Sequence, residues 1–399
     1  MQARWLALFY AAYFGFVGLY SPFLGPYLTT LGHSLDVVAL ALGMMQLMRI
    51  VGPFAWGWLS DRTANRIRWI QVASLGGACV AVAVFTFERS AFALVMLVLL
   101  MNLFISGLVP MSDAHCMEMC KNDPGRYGRI RLFGSVGFVI AVLVFGAMAS
   151  KFGYASYPVW ACACLFLAYW ASRQFQPAGL PPSTSSSIRH GLEAAPGWRV
   201  AARELLWSRG LARLWLASYF MVLAHGVFYG YFSLYLIEHG YAEASIGLLW
   251  AFGVVCEVLF FWFQSAFFHR LSLKQWMCWG YGVCAVRFAV TALFPQYWPI
   301  MALAQSAHAI TFAAHHTATI AWLKAALPFP LQVRGQAMYA TIAYGLGGTS
   351  GTLLGRWAWG AFGPSSAFGL AALAGLLALW LGVHLRENVM PASAHPSAA

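Results

Sequence analysis

Several ionisable side chains stand inside long apolar stretches of this sequence, where a charged group is costly unless it has a function or a partner. Five of them are Arg49, Asp113, Glu257, Arg287 and His308. Arginine stays charged even when poorly hydrated and therefore suits an anion. Carboxyl and imidazole groups exchange protons readily. These residue types predict anion binding and proton transfer within apolar surroundings.

Glu257 and Arg287 lie at comparable depths on consecutive apolar stretches, so their side chains can pair. Burial opposes the carboxylate, whereas a nearby arginine favours it, so movement of Arg287 would change how firmly Glu257 holds a proton. Such a pair suits binding and release of a proton. The alternative is an ion pair that only fixes helix packing.

Arg49 is the strongest candidate for binding an anion. At helical spacing it shares a face with Gln46, Pro53 and Trp56, which makes Gln46 a second candidate for substrate binding. The alternative is that Arg49 extends toward the cytoplasm or pairs with a carboxylate.

Asp113 shares a helical face with Asn102 and Ser106, and Pro110 is expected to interrupt the helix just before it. This polar stripe predicts that Asn102 and Asp113 line a substrate pathway. An equally open alternative is that Asp113 lies deeper and pairs with Arg131 as part of a gate.

A later stretch carries several polar residues at helical spacing, with His316 turned about 100° away from His315. His308 is a candidate for a proton relay, although a histidine that merely bonds between helices is as good an interpretation. That packing interpretation is favoured for His225, His315 and His316, but His315 is retained as a substrate candidate. The stripe consists of Gln305, His308, Thr311, Phe312, His315 and Thr319.

Aromatic residues make up 16% of the chain. Tyr20 and Tyr229 are candidates to stack on an aromatic substrate, although membrane-interface belts and packing explain most such residues.

Long apolar helices must position all of these groups. Of 399 residues, 61% are hydrophobic and 9% are charged, against roughly 25% charged in a soluble domain. A spanning helix needs about 20 apolar residues, and about twelve stretches qualify. We expect them near 5–28, 37–60, 69–87, 92–117, 132–150, 154–172, 211–237, 244–268, 276–294, 298–323, 338–358 and 365–385.

The positive charges indicate topology rather than a nucleic-acid partner, despite a formal net charge of +12. Outside the spans, every Lys and Arg except Arg89, Lys151 and Arg356 falls on the side that holds both termini. Positive charge stays cytoplasmic during insertion, so both termini are expected inside the cell. The first stretch is expected to be an uncleaved span.

A Pro- and Ser-rich segment divides the spans six and six. We expect an N-terminal six-helix bundle at 1–175, a cytoplasmic linker at 176–209, a C-terminal bundle at 210–386 and a cytoplasmic tail at 387–399. A fixed offset places Tyr27-Leu28 on Tyr235-Leu236 and Gly32 on Gly240. Two related halves with a site between them are common in transporter folds.

The loop after the second stretch reads Gly57-Trp-Leu-Ser-Asp61-Arg62-Thr-Ala-Asn-Arg66. It resembles the cytoplasmic signature of the major facilitator superfamily, which implies two six-helix bundles. A carboxylate and cations at a helix end can bond neighbouring helix termini and hold one side shut. We therefore expect Gly57, Asp61, Arg62, Arg66 and Arg131 to form a cytoplasmic gate. A merely basic loop is the alternative.

Three further blocks, with Arg287 and His308, are similar to the 3-phenylpropionate permease branch, a relative of lactose permease and the nucleoside/proton symporters. This resemblance implies proton-coupled uptake by alternating access, with Glu257, Arg287 and His308 handling the proton. The blocks are Asn102-Leu-Phe-x3-Leu108-Val-Pro110-x2-Asp113, Tyr127-Gly128-x2-Arg131-x2-Gly134-Ser135-x-Gly137-Phe138 and Leu249-Trp250-x3-Val254-Val255-x-Glu257-Val258.

The resulting expectation is an all-α integral membrane protein of a bacterial inner membrane that carries a small organic acid, aromatic acids included, with protons. A sugar or nucleoside symporter is the alternative within the same fold. A membrane scaffold or an intramembrane enzyme is the alternative from another class, but no nucleophile, nucleotide-binding or metal-ligand motif is present. The expected partners are the substrate, protons and the lipid bilayer, with no cofactor and no nucleic acid.

Overall fold

The computed structural model describes residues 2–63, 65–121, 123–177, 209–327 and 329–385, and these residues form helices joined by short turns. Within them, nine helices are long and apolar enough to cross a bilayer. The first six spans are Gln2–Thr30, Leu35–Thr63, Arg66–Thr86, Ala91–Ile105 with Leu108–Met119, Pro124–Phe152 and Tyr157–Ser172. The prediction of an all-helical membrane protein is confirmed.

The last six spans include two that are not continuous α-helices. Spans 10 and 11 each contain a π-helical segment, and span 6 is short. These three spans are therefore not among the nine helices that are long and apolar enough to cross a bilayer. Spans 7 to 12 are Arg209–Glu238, Glu243–Phe263, Leu273–Leu293, Trp298–Ser306 with Ala309–Ala314 and His315–Ala326, Phe329–Tyr339 with Ala340–Gly347 and Gly348–Phe362, and Pro364–Val383.

The predicted linker, 176–209, and tail, 387–399, lie almost entirely outside the described residues. We call the end of the molecule where span 6 stops and span 7 begins the linker end, and the opposite end the far end. Left-handed glycines stand in the turns that follow spans 1, 5, 7 and 11 at the far end: Gly32, Gly153, Gly240 and Gly363. Positive φ favours glycine, so the matched positions support a repeat of the two halves.

Each half packs mainly within itself. In the first, span 1 packs on spans 5 and 6, span 3 on spans 4 and 6, and span 2 on span 4. In the second, span 12 packs on spans 7 and 9, span 7 on span 11, and span 8 on span 10. The halves meet where span 5 contacts span 8, span 2 contacts span 11 and span 1 contacts span 7.

Glycines allow backbones to approach closely across this boundary. A Cβ on Gly247 of span 8 would stand 2.2 Å from the Val142 carbonyl oxygen of span 5, and one on Gly146 would stand 2.8 Å from the Glu243 carbonyl oxygen. Small residues play this role in membrane helix pairs, where close packing replaces the hydrophobic effect. Spans 5 and 8 are therefore in backbone contact.

Polar contacts also join the halves at the far end. Arg356 Nε of span 11 lies 2.9 Å from Asp36 Oδ1 of span 2, and Ser150 Oγ of span 5 donates to Glu243 Oε2 of span 8 at 3.4 Å. At the linker end, Arg66 pairs with Glu118 within the first half. The far end thus holds ion-pair and hydrogen-bond contacts between halves.

Span 4 breaks at Ser106–Gly107, one turn before the expected position at Pro110. Pro110 is the third residue of the following helix, where proline is tolerated. Trp56 packs on Gly107, whose Cβ would lie 2.5 Å from the indole. The indole Nε1 donates to the Leu103 carbonyl oxygen at 2.7 Å, which satisfies a group at the broken helix end.

Candidate functional site

Arg287 lies at the centre of a polar cluster in the second half and is 2% exposed. Its Nη1 bonds His308 Nδ1 and Thr311 Oγ1, both at 3.1 Å, and its Nη2 donates to Gln305 Oε1 at 3.1 Å. The rings of Phe228 and Phe288 lie 4.5 and 5.0 Å from the guanidinium carbon. Three neutral acceptors and two aromatic faces therefore hold the cation.

His308 stands between Arg287 and Glu257. Arginine has only donors, so His308 Nδ1 must accept and the ring proton must reside on Nε2. That Nε2 lies 3.6 Å from Glu257 Oε2. The structure therefore brings the three predicted proton-handling residues together, with His308 linking Glu257 to Arg287 in place of the direct pair considered from the sequence.

The Glu257 side chain is 20% exposed, whereas that of His308 is 8% exposed. Glu257 also feels the charge of Arg131, which belongs to the first half. The carboxyl group is thus the accessible end of the cluster and lies where the two halves face each other.

His225 completes the buried side of this cluster. Its Nδ1 donates to the Met221 carbonyl oxygen at 2.9 Å, and its Nε2 lies 3.3 Å from Thr311 Oγ1. Both ring nitrogens are therefore engaged by span 7 and the Arg287 cluster, as a packing histidine requires.

The π-helical segment Ala309–Ala314 changes which histidine lies beside His308. Phe312 stacks on His308 at 5.3 Å and on His316 at 6.2 Å, with interplanar angles of 17° and 8°. His315 is 2% exposed, and its Cβ stands 3.0 Å from a Cβ built on Gly280. A π-helical turn holds more residues than an α-helical turn, so the residues that follow it are rotated from the regular α-helical spacing that the sequence stripe assumed.

This geometry places His315, a predicted substrate residue, inside the packing between spans 9 and 10. It turns His316 toward span 11, where its Nδ1 lies 3.1 Å from the Tyr344 hydroxyl. No sequence signal marks this rotation, since Ala309–Ala314 has an ordinary apolar composition. Tyr344 lies in a second π-helical segment, Ala340–Gly347.

Arg49 reaches across from the first half to Tyr344, with its guanidinium carbon 5.8 Å from the ring centroid. Among the described residues it has no hydrogen-bond or ion-pair partner, so neither a paired carboxylate nor another acceptor uses its donors. It lines a cavity of about 260 Å³ in the first half. The other lining residues are Tyr13, Phe14, Phe16, Val17, Tyr20, Met45, Asn102, Ile105, Ser106 and Val109.

The cavity brings together three of the predicted substrate residues, Arg49, Tyr20 and Asn102. Asn102 Nδ2 donates to the Tyr20 hydroxyl at 3.1 Å and to the Val98 carbonyl oxygen at 2.9 Å. The Tyr20 hydroxyl donates onward to the Ala41 carbonyl oxygen at 3.1 Å. A cation, an amide and aromatic walls therefore surround one space.

Two other candidates face the second half. Gln46 is 3% exposed and packs against Gly348, whose Cβ would lie 3.1 Å from its side chain. Tyr229 stacks on Trp250 at 6.1 Å with an interplanar angle of 23°, and the charges of Glu257 and Arg49 both act on it. Tyr229 therefore lies between the cavity and the proton cluster, whereas Gln46 belongs to the contact between halves.

Asp113 pairs with Arg131, which is the second of the two interpretations considered from the sequence. Arg131 Nε lies 3.6 Å from Asp113 Oδ1, and the Tyr10 hydroxyl donates to the same oxygen at 2.7 Å. The Arg131 guanidinium also lies over Phe14, 4.1 Å from the ring centroid. Phe14 lines the cavity, so the Asp113–Arg131 pair adjoins the cavity without occupying it.

The predicted gate residues whose side chains the structure describes have separate partners. Arg66 pairs with Glu118, Arg62 lies over Trp58 at 5.1 Å, and Arg131 contacts Asp113 deeper in the bundle. A Cβ on Gly57 would meet nothing within 4 Å. The Asp61 side chain lies outside the description.

Across the described ranges, no group of three His, Cys, Asp or Glu residues is arranged to hold a metal ion. The eight cysteines are unpaired. The polar residues that come together are suited to binding an anion and moving a proton.

The sequence and the fold match known transporters. Residues 3–370 match the MFS_1 like family. The chain is 30% identical over 351 residues to a probable 3-phenylpropionic acid transporter of Escherichia coli (strain K12), covering 86% of this chain and 88% of the relative. It is 27% identical over 388 residues to the maltose permease of Geobacillus stearothermophilus, covering 94% and 93%.

Solved structures agree on the fold. The nucleoside transporter NupG superposes with a TM-score of 0.79 at 14% identity, covering 96% of this chain and 98% of that chain. A D-xylose-proton symporter superposes with a TM-score of 0.69 at 13% identity, covering 96% and 97%. At such identities the similarity extends to the fold alone.

Proposed function

This multi-pass membrane transporter belongs to the MFS_1 like family, and we propose that it carries a small aromatic monocarboxylate together with a proton by alternating access. The observation that carries the proposal is Arg49. Its donors are unused among the described residues, and it lines a cavity with aromatic walls. Arginine recognises a carboxylate through paired N–H groups, so the anion binds Arg49 and the ring lies among the aromatic and aliphatic side chains.

The similarity to a probable 3-phenylpropionic acid transporter supports this substrate class. A cavity of about 260 Å³ suits a small molecule rather than a peptide or a polymer. Apolar walls with a few polar groups are typical of small-molecule sites.

Glu257 carries the proton in this proposal. It is the accessible end of the cluster formed with His308 and Arg287. As long as Arg287 donates to His308 Nδ1, that histidine presents a proton on Nε2 and cannot take another. The carboxyl group of Glu257 is therefore the group left to exchange a proton with the space between the halves.

Charge balance couples the two movements. Asp113 compensates the charge of Arg131. Arg287 is held separately inside the second half. Arg49 is positive and Glu257 is negative, and both face the space between the halves. Loading the anion alone or the proton alone leaves one uncompensated charge there, which is costly in a medium of low dielectric constant. Loading both leaves none, so the filled and empty carriers change conformation most readily.

The contacts between halves support a carrier closed at the far end. The Asp36–Arg356 and Ser150–Glu243 contacts join the halves there, whereas the Arg66–Glu118 pair at the linker end lies within the first half. With both termini in the cytoplasm, as the positive charges predict, the far end faces outward and this conformation faces the cell interior.

Purified protein in lipid vesicles tests the proposal. Labelled 3-phenylpropionate should accumulate when the outside is made acidic, and membrane potential should have little effect, because a monoanion and one proton carry no net charge. A neutral sugar or nucleoside with one proton moves one charge, worth about 2.3 kcal/mol per 100 mV. Strong acceleration by an inside-negative potential, with no uptake of aromatic acids, would favour the sugar or nucleoside alternative.

A further inference from the structure

One wall of the cavity presents an oxygen that no neighbour uses. Val98 offers only a carbonyl acceptor to Asn102, so the group that faces it must be the amide nitrogen. The second amide hydrogen goes to Tyr20, whose own hydroxyl hydrogen goes to Ala41. Oδ1 of Asn102 therefore has no donor in the described structure. It is the amide atom left for the cavity that Asn102 lines.

Ser106, one turn further along span 4, also presents a hydrogen-bond acceptor. Its hydroxyl donates to the Leu103 carbonyl oxygen at 2.8 Å, which leaves its oxygen as an acceptor. Ser106 lies against span 2, because a Cβ on Gly52 would stand 1.7 Å from its Oγ. Arg49 precedes Gly52 by three residues on the same helix. The cavity thus combines a cation with two acceptors on neighbouring helices.

We infer, on the basis of the proposed function, that the preferred substrate is an aromatic monocarboxylate that carries a hydroxyl group. Its carboxylate binds Arg49, and its hydroxyl donates to Asn102 Oδ1, with Ser106 Oγ as the neighbouring acceptor. Phe16, Val17 and Met45 contribute to the apolar walls around the ring. The hydroxyl of Tyr13, which also lines the cavity, can donate or accept and fits either substrate.

The acceptors separate this substrate from its nearest chemical relatives. An unsubstituted ring would displace water from Asn102 Oδ1 without replacing the hydrogen bond, which lowers affinity. A second carboxylate in the same place would face acceptors and be repelled. A single neutral hydrogen bond is expected to favour the hydroxylated ligand by roughly three- to tenfold.

Competition binding to purified protein tests the inference. Labelled 3-phenylpropionate is displaced by its unlabelled form and by the ortho-, meta- and para-hydroxylated acids. At least one hydroxylated isomer should bind about three- to tenfold more tightly than the parent acid. Asn102→Leu should remove that preference, so that the hydroxylated isomers bind no more tightly than the parent acid, and Ser106→Ala should reduce it.

Ser306→Ala is the matched control. Ser306 makes the same bond to the carbonyl three residues back, Leu303, at 2.7 Å, but it lies on an exposed face of span 10. It should keep the full preference. If Asn102→Leu fails to fold, the wild-type comparison and Ser106→Ala still decide the matter.

The outcomes distinguish an error in the hydroxyl preference from an error in the proposed function. Equal affinity for all four acids, or a hydroxyl preference that survives both Asn102→Leu and Ser106→Ala, overturns this inference and leaves an aromatic-acid carrier in place. Failure of every aromatic acid to bind overturns the proposed function and this inference with it.

Discussion

Two arginines inside the membrane, Arg49 and Arg287, occupy opposite halves of the molecule and differ in what their donors meet. Arg287 is 2% exposed, bonds three acceptors and lies between two phenylalanine rings. Arg49 is half-buried and lines a cavity. In the described structure it has no hydrogen-bond or ion-pair partner, and its guanidinium lies over the ring of Tyr344. The donors of Arg287 are therefore engaged, whereas those of Arg49 are unused in the described structure.

This difference assigns separate tasks to the two halves. A guanidinium with its donors engaged can orient His308 and, through it, Glu257, but it has little left to offer an anion. A guanidinium with unused donors is costly until an anion arrives, so substrate binding has its largest electrostatic gain there. Under the proposed function, the first half binds substrate and the second half handles the proton.

The largest effect is expected from Arg287→Gln. Removing the cation from a buried hydrogen-bonded cluster leaves three acceptors without their donor and frees His308 to rotate, and each buried acceptor left unsatisfied costs about 1–3 kcal/mol. We expect proton-driven uptake to fall at least a hundredfold. Arg287→Lys should not restore it, because one ammonium cannot reproduce the fork.

Arg213→Ala serves as the control for that substitution. Arg213 donates to the His384 carbonyl oxygen at an exposed position of the second half, so uptake should change little. Normal uptake by correctly folded Arg287→Gln protein would show that the cluster has no part in transport.

Arg49→Gln should act on binding first. A hydrogen bond to a charged group contributes about 1.5–3 kcal/mol, so affinity for an aromatic acid should fall roughly ten- to a hundredfold while the protein stays folded. Arg49→Lys should recover part of it, since the charge remains. Unchanged affinity in an equilibrium binding assay would remove Arg49 from the site.

The smallest effect is expected at the far end. Asp36 is 69% exposed, and exposed pairs contribute about 0.2–1 kcal/mol, so Asp36→Asn should shift the carrier only severalfold toward opening there. A cysteine introduced at Ala39 should then react faster with a water-soluble thiol reagent. Exchanging the charges in Asp36→Arg with Arg356→Asp should return the rate toward its original value; if it does not, the pair is no gate.

Much of the fold follows from composition, because runs of about 20 apolar residues have few other solutions in a bilayer. All twelve expected spans correspond to helical segments, with ends displaced by a few residues. Two starts are displaced further: span 11 begins at Phe329 rather than near 338, and span 5 begins at Pro124 rather than near 132. Pro328 and the polar residues that follow it interrupt the apolar pattern, so the sequence did not indicate an earlier start of span 11.

The site was harder to predict. Arg49, Tyr20 and Asn102 were identifiable because polar groups within a span demand an explanation. The orientations of His315 and His316 were not, because the π-helical segment after His308 rotates the rest of the helix and the sequence does not indicate it. Partners such as Tyr344 depend on contacts between halves, which spacing along one helix cannot give.

Glu257→Gln tests the division of tasks most directly, because glutamine resembles the protonated acid and cannot release a proton. Vesicles with this variant should exchange labelled for unlabelled aromatic acid across the membrane, since the Arg49 cavity is intact. They should fail to concentrate it when only a pH difference is imposed. Accumulation against a gradient by correctly folded Glu257→Gln protein would contradict the account and move proton coupling away from the second half's cluster.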